Sequence, residues 1–193
     1  MFSFFNKRKI QGGNFAHKNV AFLTQTQAAG LLGMKEWNNR LCGLTCLWMA
    51  IESLISSANV DFVELFQRAL GEEAFHEKNG WIHSKLVFLA QMYGLKSGRK
   101  NVGNDLESIG RLLKSENIVI ASLSPDYANP ENKQKNGHLL FIFGMMVDGD
   151  GKVAEIWAHD PGTDHTPPME SVRISRDNFL KAFSGNVMYF SIS

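Results

Sequence analysis

Three residues are of types that can work together as a nucleophile, its base and an orienting acid. Cys42 stands in "LCGLTCLWMA", directly before a glycine and a helix-like apolar pattern. His138 follows "KNG" and opens the apolar run "HLLFIFG". Asp160 ends "KVAEIWAHD", just before Pro161 and Gly162. A thiol reacts as its thiolate, and a helix N-terminus stabilises that anion through unpaired N–H groups and the macrodipole. An imidazole beside the thiol adds a counter-charge, and a carboxylate on the other ring nitrogen fixes tautomer and orientation. Each residue also has a plain structural reading. A cysteine before glycine can be a small core residue, a histidine opening a strand can be a hydrogen-bonded surface residue, and Asp-Pro starts turns in which Asp bonds its own backbone. Their order and the elements they open or close favour the chemical reading.

The elements must bring these side chains together. Apolar residues at Leu44, Leu47, Trp48, Ile51, Leu54 and Ile55 have helical spacing, which predicts a core helix over about 43–57. Asp61 with Glu64 is a capping-box pattern opening a second helix, with Phe62, Leu65, Phe66 and Ala69 inward. Ser84 is expected to cap a third, with Leu86, Leu89, Ala90 and Tyr93 on one face and Gly94 as its stop. Asn104 with Glu107 repeats the capping pattern before Leu106, Ile109 and Leu113. The pattern then changes. "NIVIASL" and "HLLFIFGMMV" read as buried strands, "DGDG" as a tight turn, and "KVAEIWAHD" as the next strand. "SVRI" is a further short strand, Ser175 caps a short helix, and "NVMYFSIS" closes the chain as a strand. Helices first and mostly antiparallel strands afterwards predict an α+β fold, with N-terminal helices packed on the sheet. His138 and Asp160 fall on neighbouring strands joined by one tight turn, so both can reach the same end of the sheet.

The chain has 193 residues, enough for one domain with a full core. Residues 1–20, with "QGGN", are expected to be a flexible arm, and 21–193 the domain. Hydrophobic residues make up 44% and charged residues 20%, which is ordinary for a globular protein. A net charge of +1 offers no broad basic surface for nucleic acid. No apolar run is long enough to span a bilayer, and "MFSFFNKRKIQGG" lacks the order of a secretory signal, so a cytoplasmic protein is expected. The two cysteines make no disulfide framework, and Cys42 and Cys46 are poorly placed to bridge each other along one helix. Cys46 is expected in the core. No pattern sets an oligomeric state.

"EWNNRLCGLTCLWM", "NGWIHSKLVFLAQMYGL", "GHLLFIFG" and "HDPG" together resemble the double-glycine, or bacteriocin-processing, cysteine peptidases and their stand-alone relatives in the papain-like clan. The resemblance runs from about Glu36 to the C-terminus. "CGLTCLWMA" also resembles the actin maturation proteases of the same broad group. The resemblance implies a papain-like α+β fold, a peptide or protein substrate, and no cofactor. It puts the nucleophile on Cys42, the general base on His138 and the orienting acid on Asp160. It also implies that Trp81 and His83 border the substrate cleft, although a Trp there can equally anchor a loop on the core. Relatives usually carry a Gln six residues before the nucleophile, whose amide helps hold the oxyanion. Here that residue is Glu36. Either a neutral Glu36, or Asn38 or Asn39, is left to supply the side-chain donor beside the Cys42 N–H.

Three other readings stay open. The same fold could bind peptides without cutting them, which Glu36 favours. A thiol acyltransferase, of transglutaminase-like type, would use the same triad on an amine acceptor. "HDPGTDH" offers His159, Asp160, Asp164 and His165 to a metal, but its spacing matches no common motif and a polar loop explains it better. The long polar "SPDYANPENKQKNGH" before His138 suits a lid or substrate contact.

Overall fold

The strand "NIVIASL" alternates between two cores, and that alternation organises the molecule. The computed structural model describes residues 12–55, 58–123, 137–162 and 169–192. Most of the expected lid loop, together with Asp164 and His165, lies outside the described residues. Four helices, α1 (Gln25–Leu32), α2 (Cys42–Leu54), α3 (Phe62–Gly71) and α4 (His83–Met92), cover one face of a sheet; α5 (Leu106–Lys114) and α6 (Arg176–Ala182) cover the other. The sheet holds β1 (Gly13–Ala16), β4 (Lys96–Asn101), β5 (Ile118–Leu123), β6 (His138–Val147), β7 (Val153–His159), β8 (Val172–Ser175) and β9 (Phe183–Ser191). A separate two-stranded hairpin pairs β2 (Phe75–His76) with β3 (Gly80–Trp81). Ile118 and Ile120 face the first helical layer, and Val119, Ala121 and Leu123 face the second. This is the period of two expected for a strand buried on both sides.

The sheet order is β4-β9-β5-β6-β7-β8, all antiparallel. β6 is the organiser. β5 takes one edge of its first half, from His138 to Ile142, and β1 takes its second half, from Gly144 to Val147. Leu139, Phe141 and Phe143 pack under the first helical layer and Leu140 and Ile142 under the second, but Met145 and Val147 also join the second. The phase changes where the pairing with β7 shifts between Ile142 and Gly144, as a one-residue bulge requires. Gly144 is needed there, because a Cβ would lie 2.8 Å from the Phe15 carbonyl oxygen and from the Ala16 side chain.

The expected α+β architecture holds, with helices on both faces of the sheet. Several local expectations change. Gly13–Ala16, inside the stretch expected to be a flexible arm, forms β1, because β6 outruns β5 and leaves an edge to fill. The core helix begins one residue earlier than predicted, at Cys42, and ends at Leu54. Asp61 does cap α3, accepting from the Val63 and Glu64 N–H groups, and Ser175 caps α6. Ser84 caps nothing: α4 starts at His83, after Ile82. Asp105, rather than Asn104, caps α5. Glu107 is drawn instead into a tie between elements, accepting from Arg176 at 2.8 Å and from the Val153 N–H at 3.3 Å. α1 and β4 gave no apolar pattern. α1 buries Gln25, Ala28 and Ala29, and β4 is the polar edge "KSGRKN".

Candidate active site

α2 is buried along nearly its whole length, so its first residue sits where the core meets solvent. That residue is Cys42, half-buried. Gly43 permits what packs beside it: a Cβ at Gly43 would lie 2.7 Å from the Trp81 side chain. Trp81 is 6% exposed and its Nε1 donates to the Arg40 carbonyl oxygen at 2.6 Å. The Trp81 ring therefore both anchors β3 on the core and walls the site.

His138 is the first residue of β6, level with Leu123 at the end of β5. Its Nε2 shares a 2.6 Å hydrogen bond with Asp160 Oδ1, and its side chain lines the same cleft as Cys42. Asp160 follows β7 and is 1% exposed. Its Oδ1 also accepts the Gly162 N–H at 2.7 Å, so the Asp-Pro turn bond and the contact with His138 are made by the same oxygen. Burial alone would pull the His138 pKa down. The Asp160 charge and hydrogen bond, with the influence of Cys42, overcome it and carry the imidazole from 6.5 up to about 10.

These side chains open into a cleft of about 430 Å³, lined by Cys42, His138, Asn39, Trp81, His83 and Ser122 among others. The β2–β3 hairpin forms one rim, where Arg40 pairs with Glu77 and lies over the Trp37 and Phe75 rings. A larger hollow of about 730 Å³, between β1 and α5, holds none of these residues. His83 is half-buried, and burial followed by the Arg99 charge lowers its pKa, so it meets the cleft as a neutral imidazole near pH 7.

The three oxyanion candidates separate. Asn39 lines the cleft, Glu36 is exposed in a 3₁₀ turn (Lys35–Trp37) away from it, and Asn38 is half-buried outside it. Cys46 is fully buried and its Sγ donates to the Leu139 carbonyl oxygen at 3.3 Å; burial, and then the charges of Cys42 and Asp160, push its pKa well up. His159 is 1% exposed and held among Phe22, Phe141 and Phe143, where burial lowers its pKa to about 4. Its Nδ1 accepts the Ser171 N–H at 3.1 Å. That ring belongs to the core, and among the described residues no group of His, Cys, Asp or Glu could hold a metal ion. No described helix is long and apolar enough to cross a membrane. Ser122 was not singled out from the sequence. It lines the cleft beside a register shift in the β5–β9 pairing that falls between Ala121 and Leu123, a feature no apolar pattern signals.

No family model and no curated protein matches the sequence. Solved structures do match its shape. A C39-like peptidase from Bacillus anthracis superposes with a TM-score of 0.61 over 94% of this chain and 98% of its own, at 16% identity. The fold is that of the C39-like peptidases. The peptidase domain of Streptococcus ComA, a bifunctional ABC transporter of a quorum-sensing pathway, gives 0.52 over 80% of this chain and 93% of its own, at 13% identity. A double-glycine-motif protease from an AMS/PCAT transporter, solved with a leader peptide, gives 0.51 over 79% and 84%, at 16% identity. The C39-like likeness to the Bacillus anthracis protein thus spans nearly the whole of both chains.

Proposed function

We propose that this protein is a cysteine peptidase that hydrolyses peptide bonds through Cys42, His138 and Asp160. The observation that carries the proposal is His138, hydrogen-bonded to Asp160 and lining one cleft with Cys42, which stands at the head of a buried helix. Cys42 gives its proton to His138, and the raised proton affinity of that imidazole favours the transfer. Sγ attacks the scissile carbonyl carbon. The oxyanion that forms meets the Cys42 N–H and the Asn39 amide. The tetrahedral intermediate collapses as His138 returns its proton to the departing amine, leaving a thioester on Cys42. Water, deprotonated by His138, then attacks the thioester and frees the carboxylate product. Asp160 holds the ring so that the nitrogen opposite the Asp160 bond faces the thiol throughout. The substrate is a peptide or an exposed protein segment, the kind of ligand found on the transporter-linked protease of similar fold.

Incubation of the protein with a complex mixture of peptides, read by mass spectrometry, tests this. New termini are expected with wild-type protein and none with Cys42→Ala. Termini that persist in Cys42→Ala, or that never form, would rule out the peptidase. One observation favours a second reading, a peptide-binding relative that has lost catalysis: Glu36 replaces the usual Gln and stands away from the cleft. That reading predicts peptides retained on the protein, uncut, by wild type and Cys42→Ala alike.

A further inference from the structure

α2 has no side-chain cap of its own. Its N-cap is Leu41, which offers no acceptor to the unpaired N–H groups of the first turn. The acceptor comes from another helix. Gln25, the first residue of α1, is 4% exposed, and its Oε1 accepts the Leu41 N–H at 2.7 Å. The backbone N–H of Gln25, one of the orphan donors of a first helical turn, donates to the Pro161 carbonyl oxygen at 2.8 Å. Leu41 precedes Cys42 and Pro161 follows Asp160. One buried residue is therefore bonded to the neighbours of both. Gln25 is itself held in place, because Thr24 and Gln27 close a reciprocal capping box around it.

We propose that Gln25 is a positioning residue for Cys42, bracing the head of α2 against the turn that carries Asp160. The proposal rests on the reading of Cys42 as the nucleophile. A thiol that must meet His138 at hydrogen-bond distance gains nothing from a helix end free to tilt. The Leu41 peptide is the hinge on which that end would turn. With its N–H tied to Gln25, the Cys42 N–H and Sγ keep their direction relative to His138. In this role Gln25 acts through the Leu41 peptide.

The test is alkylation of Cys42 by iodoacetamide across pH, followed by peptide mass spectrometry, with buried Cys46 as an internal gauge of loosening. Four proteins are compared: wild type, His138→Ala, Gln25→Met and Gln25→Glu. Met keeps the length of Gln without the acceptor; Glu keeps an acceptor oxygen in either protonation state. Gln25→Met is expected to slow Cys42 about ten- to a hundredfold at mildly acidic pH, up to the cost of a misplacement of about 1 Å. Its pH profile should move toward that of His138→Ala, Gln25→Glu should react like wild type, and Cys46 should stay unlabelled throughout. Gln25→Met reacting like wild type, or both Gln25 variants slowed alike, overturns the proposal. So does Cys46 becoming reactive, which marks general loosening. If His138→Ala itself leaves Cys42 unchanged, the nucleophile reading falls and this one with it; slowing in His138→Ala but not in Gln25→Met overturns the brace alone.

Discussion

At the scale of single residues, the oxyanion position carries the sharpest prediction. Asn39 lines the cleft and Glu36 does not, so Asn39→Ala should lower kcat by about a hundred- to a thousandfold, the usual effect of deleting one oxyanion donor. Glu36→Gln should leave it unchanged, because an amide restored outside the cleft lining supplies nothing to the site. Steady-state kinetics on any cleaved peptide decides both. Cys42, His138 and Asp160 were legible in the sequence because each sits at the start or end of an apolar run, where a strand or helix must end. Gln25 was not. Its partners are backbone groups 16 residues onward and beyond Asp160, and no spacing rule anticipates a side chain that caps a helix other than its own.

At the scale of elements, the cleft is set by how α2 meets β3. Gly43→Ala places a methyl group 2.7 Å from Trp81, so Trp81 must move and the cleft wall with it. The variant should lose about 1–3 kcal/mol of stability, the usual cost of overpacking, read as a lower urea midpoint with unchanged slope. Elements with dense apolar patterns, α2, β5 and β6, could be read from sequence, while α1, β1 and β4 could not. β4 is a polar edge strand whose partner β9 supplies the burial, and Gly98 leaves room for the Tyr189 hydroxyl, which a Cβ there would meet. β1 exists because β6 is longer than β5, a relation between strands that neither one's own sequence states.

At the scale of the whole molecule, two histidines bound the pH range of stability. His159 is neutral in the fold, with its pKa lowered by burial to about 4 from 6.5. The unfolded chain therefore binds its proton first, and this contribution to stability is complete above pH 6.5 and lost as pH falls toward 4. Urea unfolding at a series of pH values should show that decline, and His159→Phe should flatten it. His138 acts in the opposite sense. Raised to about 10, it contributes fully below pH 6.5, and the contribution fades as pH rises through 10. His138→Ala should therefore lose stability at neutral pH and little at strongly alkaline pH.

The β2–β3 hairpin is a sheet of its own, apart from the seven strands that carry His138 and lead into Asp160. Its tip residues Glu77, Lys78 and Asn79 edge the cleft yet make no bond to Cys42, His138 or Asp160 among the described contacts. On the peptidase reading, selectivity and reactivity fall to separable parts. A library randomised over residues 77–79 should change which peptides are cut while Cys42 alkylates at the wild-type rate, and the hairpin becomes a cassette through which one chemical engine can be given new tastes.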